Sequence, residues 1–347
     1  MNPSRPRATG RVTLADVAQA AGVSPITVSR ALRGERAVAP DLVARVQAAV
    51  QQLGYVPDPA ARALASRHST HVAVLIPLLT NALFVDLLEA VQLQLRRAGY
   101  QTLIGITHYD PAEEEQLLRE QLAHRPAGLI VTGFDRHDST RALIERSGVP
   151  CVHVMETSDV PGQYSVGLSQ AEAGAALTRH LLQRGRRRIA FAAAQLDPRV
   201  LQRLAGWRRE LQAAGLYDER LEWLNPAPSS LALGSRMFEQ ILALDSAAHA
   251  PDMPAVDAIF FCNDDLAQGA LLAAARHRIE VPGRVAIAGF NDLTGSDLAN
   301  PPLTTVRTPR SDIGTVATQM LLRLMRGESV SPSSVDLGFE LVVRGST

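Results

Sequence analysis

The apolar positions keep a helical period from Val12 to about Leu53, and from His71 onward they change to short unbroken apolar runs separated by helical segments. In the first stretch, VTLADVAQAAGVSPITVSRAL, Thr13 and Asp16 stand three apart as a capping box, and Leu14, Val17 and Ala18 share one face of the helix that follows. Ala21-Gly22-Val23 reads as a turn. Ser24 is placed to cap a second helix with Pro25 at its first position, where the missing amide costs nothing, and Val28, Ala31 and Leu32 supply its buried stripe. A third helix runs from Pro40 and Asp41 to Gly54, with Leu42, Val46, Ala49, Val50 and Leu53 inward. Three such helices make a small all-α domain.

Beyond His71, the runs VAVLIP, QTLIGIT, GLIVTG and CVHVME alternate with helical segments at 84–98, 111–122 and 139–146. A second series, SVGL, RIAFAAA, LEWL, AIFFCN and VAIAGF, alternates with helices at 172–184, 200–214, 235–244 and 266–276. This is the pattern of a parallel α/β body in two lobes. Ligands in open α/β sheets bind beyond the carboxyl ends of the strands. Those ends carry Thr80, Asn81 and Phe84, then Glu156, then Asp197, Arg199 and Arg203, then Asn263 and Asp264, then Asn291 and Asp292. Singly, each reads as a helix cap, a solvated charge or a core residue. Together they mark a ligand cleft.

Two helices about a glycine turn also have the spacing of a DNA-reading helix-turn-helix, although a lone match serves equally as a corner of a helical bundle. Ile26, Thr27, Ser29 and Arg30 face outward. Arg30 has the fork for a bidentate contact to guanine, and Ser24, Thr27 and Ser29 have hydroxyls for phosphates. The candidate DNA-contact set is Leu14, Ser24, Pro25, Ile26, Thr27, Ser29, Arg30 and Arg33.

DVAQAAGVSPITVSRAL followed by LGYVPDPAARALAS resembles the LacI-type family of bacterial transcription regulators, and the resemblance extends over essentially the whole chain. It implies a headpiece at 12–56, a hinge helix and linker at 57–70 and a sugar-sensing, dimerising body at 71–347. The expected fold is an α/β two-lobed periplasmic-binding-protein-like effector domain preceded by a small all-α helix-turn-helix DNA-binding domain. The lobes are placed at 72–168 with 304–329, and 169–303 with the C-terminal strands. By the same resemblance Leu64 is a minor-groove wedge, Arg203 and Asn263 bind effector, and Leu83 and Phe84 close over it. The effector set is Asn81, Leu83, Phe84, Glu156, Arg199, Arg203, Asn263 and Asn291.

Ser169 and Asn291 stand where many family members carry aspartate, which lowers repulsion against an anionic effector beside Arg199 and Arg203. IPLLTNALF, FFCNDDLAQGA and RGESVSPSSVDLGFEL are similar to the gluconate-utilization branch of the family. The implied partners are double-stranded operator DNA, gluconate or its phosphate, and a second copy of the chain as a homodimer, with a tetramer open. Sensing of 2-ketogluconate or of a neutral sugar is the alternative within the family.

The chain has equal numbers of basic and acidic residues, 35 of each, yet residues 1–71 hold nine arginines against four acidic residues, and lysine is absent. This asymmetry fits a nucleic-acid-binding head on a soluble body. The two cysteines, Cys151 and Cys262, lie in apolar runs without metal-ligand spacing and are expected as free thiols. No nucleotide-binding glycine motif, metal-spaced histidines or nucleophile set stands out, so neither cofactor, metal nor enzymatic activity is expected. The basic start MNPSRPRATGR has no apolar run behind it, which disfavours a secreted sugar receptor; the expected location is the cytoplasm, without a membrane partner.

Overall fold

A computed structural model describes residues 12–32, 38–56, 69–80, 82–247 and 255–347, the side chains of 244–247 excepted. Arg33, Leu64 and Asn81, with most of the 57–70 segment, lie outside the described residues. The chain separates into two compact units, Met1–Ser69 and Thr70–Thr347.

The first unit contains α1 (Leu14–Ala21), α2 (Pro25–Leu32) and α3 (Pro40–Leu53). The capping box forms as its residues dictate: the Thr13 amide donates to the Asp16 carboxylate at 2.8 Å and the Asp16 amide returns to Thr13 Oγ1 at 3.4 Å. Gly22 ends α1 at φ 63°, a left-handed conformation that costs glycine little. Val17, Val28 and Val46 are fully buried in the small core; Val43, rather than the expected Leu42, packs against it.

The second unit holds two parallel sheets. The first lobe has strand order β11-β5-β4-β3-β1-β2, formed by β1 (His71–Ile76), β2 (Gln101–Ile106), β3 (Gly128–Thr132), β4 (Cys151–Val154), β5 (Tyr164–Gly167) and β11 (Ser334–Asp336). Val72, Val74 and Ile76 point to one core cluster while Ala73 and Leu75 point to another. Both faces of this strand are therefore covered, which is why its sequence is apolar without alternation. Its helices are α4 (Ala82–Arg97), α5 (Pro111–Ala123), α6 (Asp138–Ser147) and α11 (Arg310–Met325), the last packing on α4, β3, β4 and β5.

In the second lobe, β6 (Ile189–Ala194), β7 (Glu222–Asn225), β8 (Ala258–Phe261) and β9 (Ala286–Ala288) are ordered β7-β6-β8-β9. Around them lie α7 (Gln170–Gln183), α8 (Pro198–Ala213), α9 (Leu231–Ala247) and α10 (Asp264–His277). The chain crosses between lobes after β5, after β10 (Thr305–Arg307) and between β11 and β12 (Glu340–Val342). The expected lobe boundaries change in two places. Residues 334–336 pair with β5 in the first lobe instead of ending the second, and Thr304 bridges to Ala288 in the second lobe. Among the described residues, no helix is long and apolar enough to cross a membrane.

Candidate functional site

In the small unit, Ser24 caps α2 through its hydroxyl, accepting from the Thr27 amide at 3.2 Å, and Pro25 opens the helix as expected. Ile26 is 64% exposed; Ser24, Pro25 and Arg30 are exposed, and Thr27 and Ser29 are half-buried. Leu14 is half-buried against the small core, on the face it shares with Val17 and Ala18. A further residue shapes this unit: the guanidinium of Arg45 on α3 donates to the Ala21 carbonyl at 2.6 Å. A cation at the carbonyl end of α1 satisfies groups the helix leaves open. Nothing in the spacing of the α3 residues signals this contact, because Arg45 is an exposed-face arginine in sequence.

In the large unit, a cleft with roughly 230 Å³ of free volume opens at the strand ends. Leu83, Arg199, Arg203, Asn263 and Asn291 of the expected set line it. Phe84 and Glu156 do not. Phe84 is 1% exposed on the inward face of α4 with Leu87, Val91 and Leu95, so it packs in the core instead of closing over the cleft. Glu156 lies under Arg199, accepting from its guanidinium at 3.2 Å and from Gln202 at 2.7 Å.

Arg199 and Arg203 project from the first turns of α8, and both are nearly fully buried. Arg199 is surrounded by carboxylates: Asp197 at 3.1 Å on its own lobe, with Glu156 at 3.2 Å and Asp135 at 3.6 Å on the other. Burial works against its charge, but these carboxylates outweigh that and hold its pKa above the ordinary value. Three carboxylates thus more than offset its charge within the protein, while its side chain also lines the cleft.

Among the described residues the hydrogen bonds of Arg203 go to neutral groups, while the Asp197 carboxylate acts on it at longer range. Arg203 donates to Gln170 Oε1 at 2.8 Å and to the Cys262 carbonyl at 2.6 Å, and lies over the Phe290 ring at 3.8 Å. Burial pushes its pKa below the ordinary value, yet a guanidinium remains charged. The glycine of RLAGW explains its depth. A Cβ at Gly206 would collide with the Ala171 carbonyl, and one at Gly174 would reach the Arg203 carbonyl at 2.5 Å, so α7 and α8 meet backbone to backbone.

Asn263 caps α10, accepting from the Leu266 amide at 3.1 Å, and its amide nitrogen donates to Ser229 at 2.8 Å. Asn291 sits at φ 105° and is 2% exposed, with its side-chain oxygen unpartnered in the cleft wall. An unsatisfied buried oxygen on a strained residue is a place for a ligand donor. Behind them Asp264 is fully buried, accepting from the Leu293 amide, Ser296 and Thr305, and burial raises its pKa to about 6. Ser169 caps α7, accepting from the Glu172 amide at 3.2 Å, and takes no part in the cleft lining. Tyr109, Ser229, Ser230 and Asp265 also line the cleft and were absent from the expected set. Tyr109 follows β2 and so obeys the strand-end rule; Ser229 and Ser230 follow β7 by the same rule.

Residues 13–58 match the family model described as bacterial regulatory proteins, lacI family, and residues 178–347 match a periplasmic binding protein-like domain. The chain is 53% identical over 346 residues to the HTH-type transcriptional regulator GntR of Pseudomonas aeruginosa, covering 100% of this chain and 98% of that protein. The solved structure of a transcription regulator GntR from Chromobacterium violaceum is 48% identical with a TM-score of 0.75, covering 80% of this chain and 98% of its own. The lac repressor dimer bound to operator and an anti-inducer is 25% identical with a TM-score of 0.83, covering 97% of this chain and 99% of its own.

Proposed function

This chain belongs to the lacI family of bacterial regulatory proteins, a family of DNA-binding transcription regulators, and from that premise we propose that it is a homodimeric repressor of sugar-acid catabolism genes controlled by a gluconate-type effector. The observation that carries the effector class is Arg203. A buried cation whose hydrogen bonds go to neutral groups at a cleft wall is completed by a carboxylate, which forms charge-assisted hydrogen bonds there. The remaining lining supports a polyol: Asp265 and the unpartnered oxygen of Asn291 accept from hydroxyls, and Ser229, Ser230 and Asn263 exchange hydrogen bonds with them. The name of the Pseudomonas relative agrees with gluconate.

The DNA-reading surface is assigned to the exposed side of α2, with Arg30 on base edges, Ser24, Thr27 and Ser29 on phosphates, and Ile26 in apolar contact with a thymine methyl. Leu14, Pro25, Arg33 and the minor-groove wedge Leu64 complete the proposed set. One recognition helix reads too few base pairs for useful specificity, so the proposed unit is a dimer on a pseudo-palindromic site. The test is thermodynamic reciprocity. Gluconate weakens operator binding by some factor, and operator weakens gluconate binding by the same factor, as calorimetric titrations with and without operator measure. A factor of one in both directions removes gluconate as the effector; a response to 2-ketogluconate or to a neutral sugar instead reassigns it.

A further inference from the structure

A second, smaller hollow of roughly 20 Å³ lies in the first lobe beside the effector cleft, lined by Leu75, Thr107, Glu114, Thr132 and Asp135 among others. Tyr109 and Arg199 line both hollows, so these two side chains are the partition between them. The guanidinium of Arg199 lies 5.9 Å from the centre of the Tyr109 ring. Arg199 is itself pinned by Asp197, Glu156 and Asp135, so it holds its place beside the ring.

The backbone that presents Tyr109 is unusual. His108 and Tyr109 are consecutive non-glycine residues in the left-handed region, at φ 47° and 60°. For a bulky side chain this conformation is strained and persists only where the surroundings over-determine it. Here they do. The Thr107 amide donates to the Ile76 carbonyl, the His108 amide to the Pro77 carbonyl and the Asp110 amide to the Thr107 carbonyl at 2.7 Å, while His108 Nδ1 meets Glu113 at 3.0 Å and Asp110 caps α5. The loop is tied to β1 on one side and to α5 on the other, so the backbone that presents the ring to the cleft is held in place.

We propose that Tyr109 is the specificity-determining wall that limits the length of the effector toward the first lobe. The wall admits a six-carbon sugar acid with its carboxylate on Arg203 and excludes a chain extended by a further hydroxymethylene unit. This rests on the sugar-acid reading of the cleft. Truncating the ring joins the small hollow to the cleft and gives the longer chain room.

The experiment compares D-gluconate with the seven-carbon D-glucoheptonate by titration calorimetry on the full chain, Tyr109→Ala and Tyr109→Phe. The unmodified protein prefers gluconate by about 10-fold or more, the range one extra carbon commands in a fitted pocket. Tyr109→Ala erases most of that preference by gaining affinity for glucoheptonate, whereas Tyr109→Phe, which keeps the ring, preserves it. Operator binding by each variant reports folding independently of the cleft; should Tyr109→Ala fail to fold, Tyr109→Leu carries the same comparison. Equal affinity of the unmodified protein for both acids overturns the wall. So does a parallel loss of both ligands in the truncated variant. Binding of neither acid by the unmodified protein overturns the sugar-acid reading first and the wall with it.

Discussion

Arg199 and Arg203 occupy successive turns of one helix, are buried to the same degree and line one cleft, yet their direct partners differ in kind. The Arg199 half is an ion-pair cluster that joins the lobes, with carboxylates from both sides balancing the cation. The Arg203 half has a cation held by an amide oxygen, a carbonyl and a ring, and behind it a buried carboxylate, Asp264, held by an amide and two hydroxyls. Charge alone therefore does not mark a ligand group. A buried charge that the protein has already neutralised serves cohesion, while one left to neutral dipoles retains the capacity to attract an ion.

The strongest way to break this distinction is Arg203→Ala. Truncating one partner of a buried charge pair costs about 2–5 kcal/mol, so gluconate affinity should fall by roughly 30-fold to several thousand-fold while operator binding without effector persists. Unchanged gluconate binding in a calorimetric titration would assign the carboxylate elsewhere.

Asp264 tests the same half through pH. Its folded pKa of about 6 lies above the ordinary 3.8, so the native state holds the proton more tightly than the unfolded chain. Below pH 3.8 both states are protonated and no penalty applies; as pH rises from about 4 to 6 the unfolded state ionises first and stability falls, becoming level above 6. Two pKa units correspond to about 3 kcal/mol, an order-of-magnitude figure. Urea titrations across this window should show the falling component in the unmodified protein and not in Asp264→Asn. A component of opposite sign in the difference between the two would refute the assignment to burial.

The mildest perturbation is Glu156→Gln. Arg199 keeps Asp197 and Asp135, so the expected loss of stability is about 1–2 kcal/mol, with gluconate affinity shifting far less than in Arg203→Ala. If Glu156→Gln abolishes gluconate binding while leaving the fold intact, Arg199 rather than Arg203 is the anion receptor and the comparison inverts.

The sequence by itself determined the elements and most of the strand ends that reach the cleft, because helix period, capping residues and apolar strand runs are local. Thr13 and Asp16, Ser24 and Pro25, and Gly22 made α1 and α2 legible within a span of a dozen residues. The tertiary structure alone decided which polar groups are spent inside the protein. Glu156 is 43 residues from Arg199, and Cys262 is 59 from Arg203, so no local pattern separates the paired arginine from the available one. Phe84 entering the core, 334–336 joining the first sheet and Tyr109 standing between two hollows are likewise consequences of packing. Periodicity assigns a side chain to a face of its own element; its partners depend on which other elements that face meets.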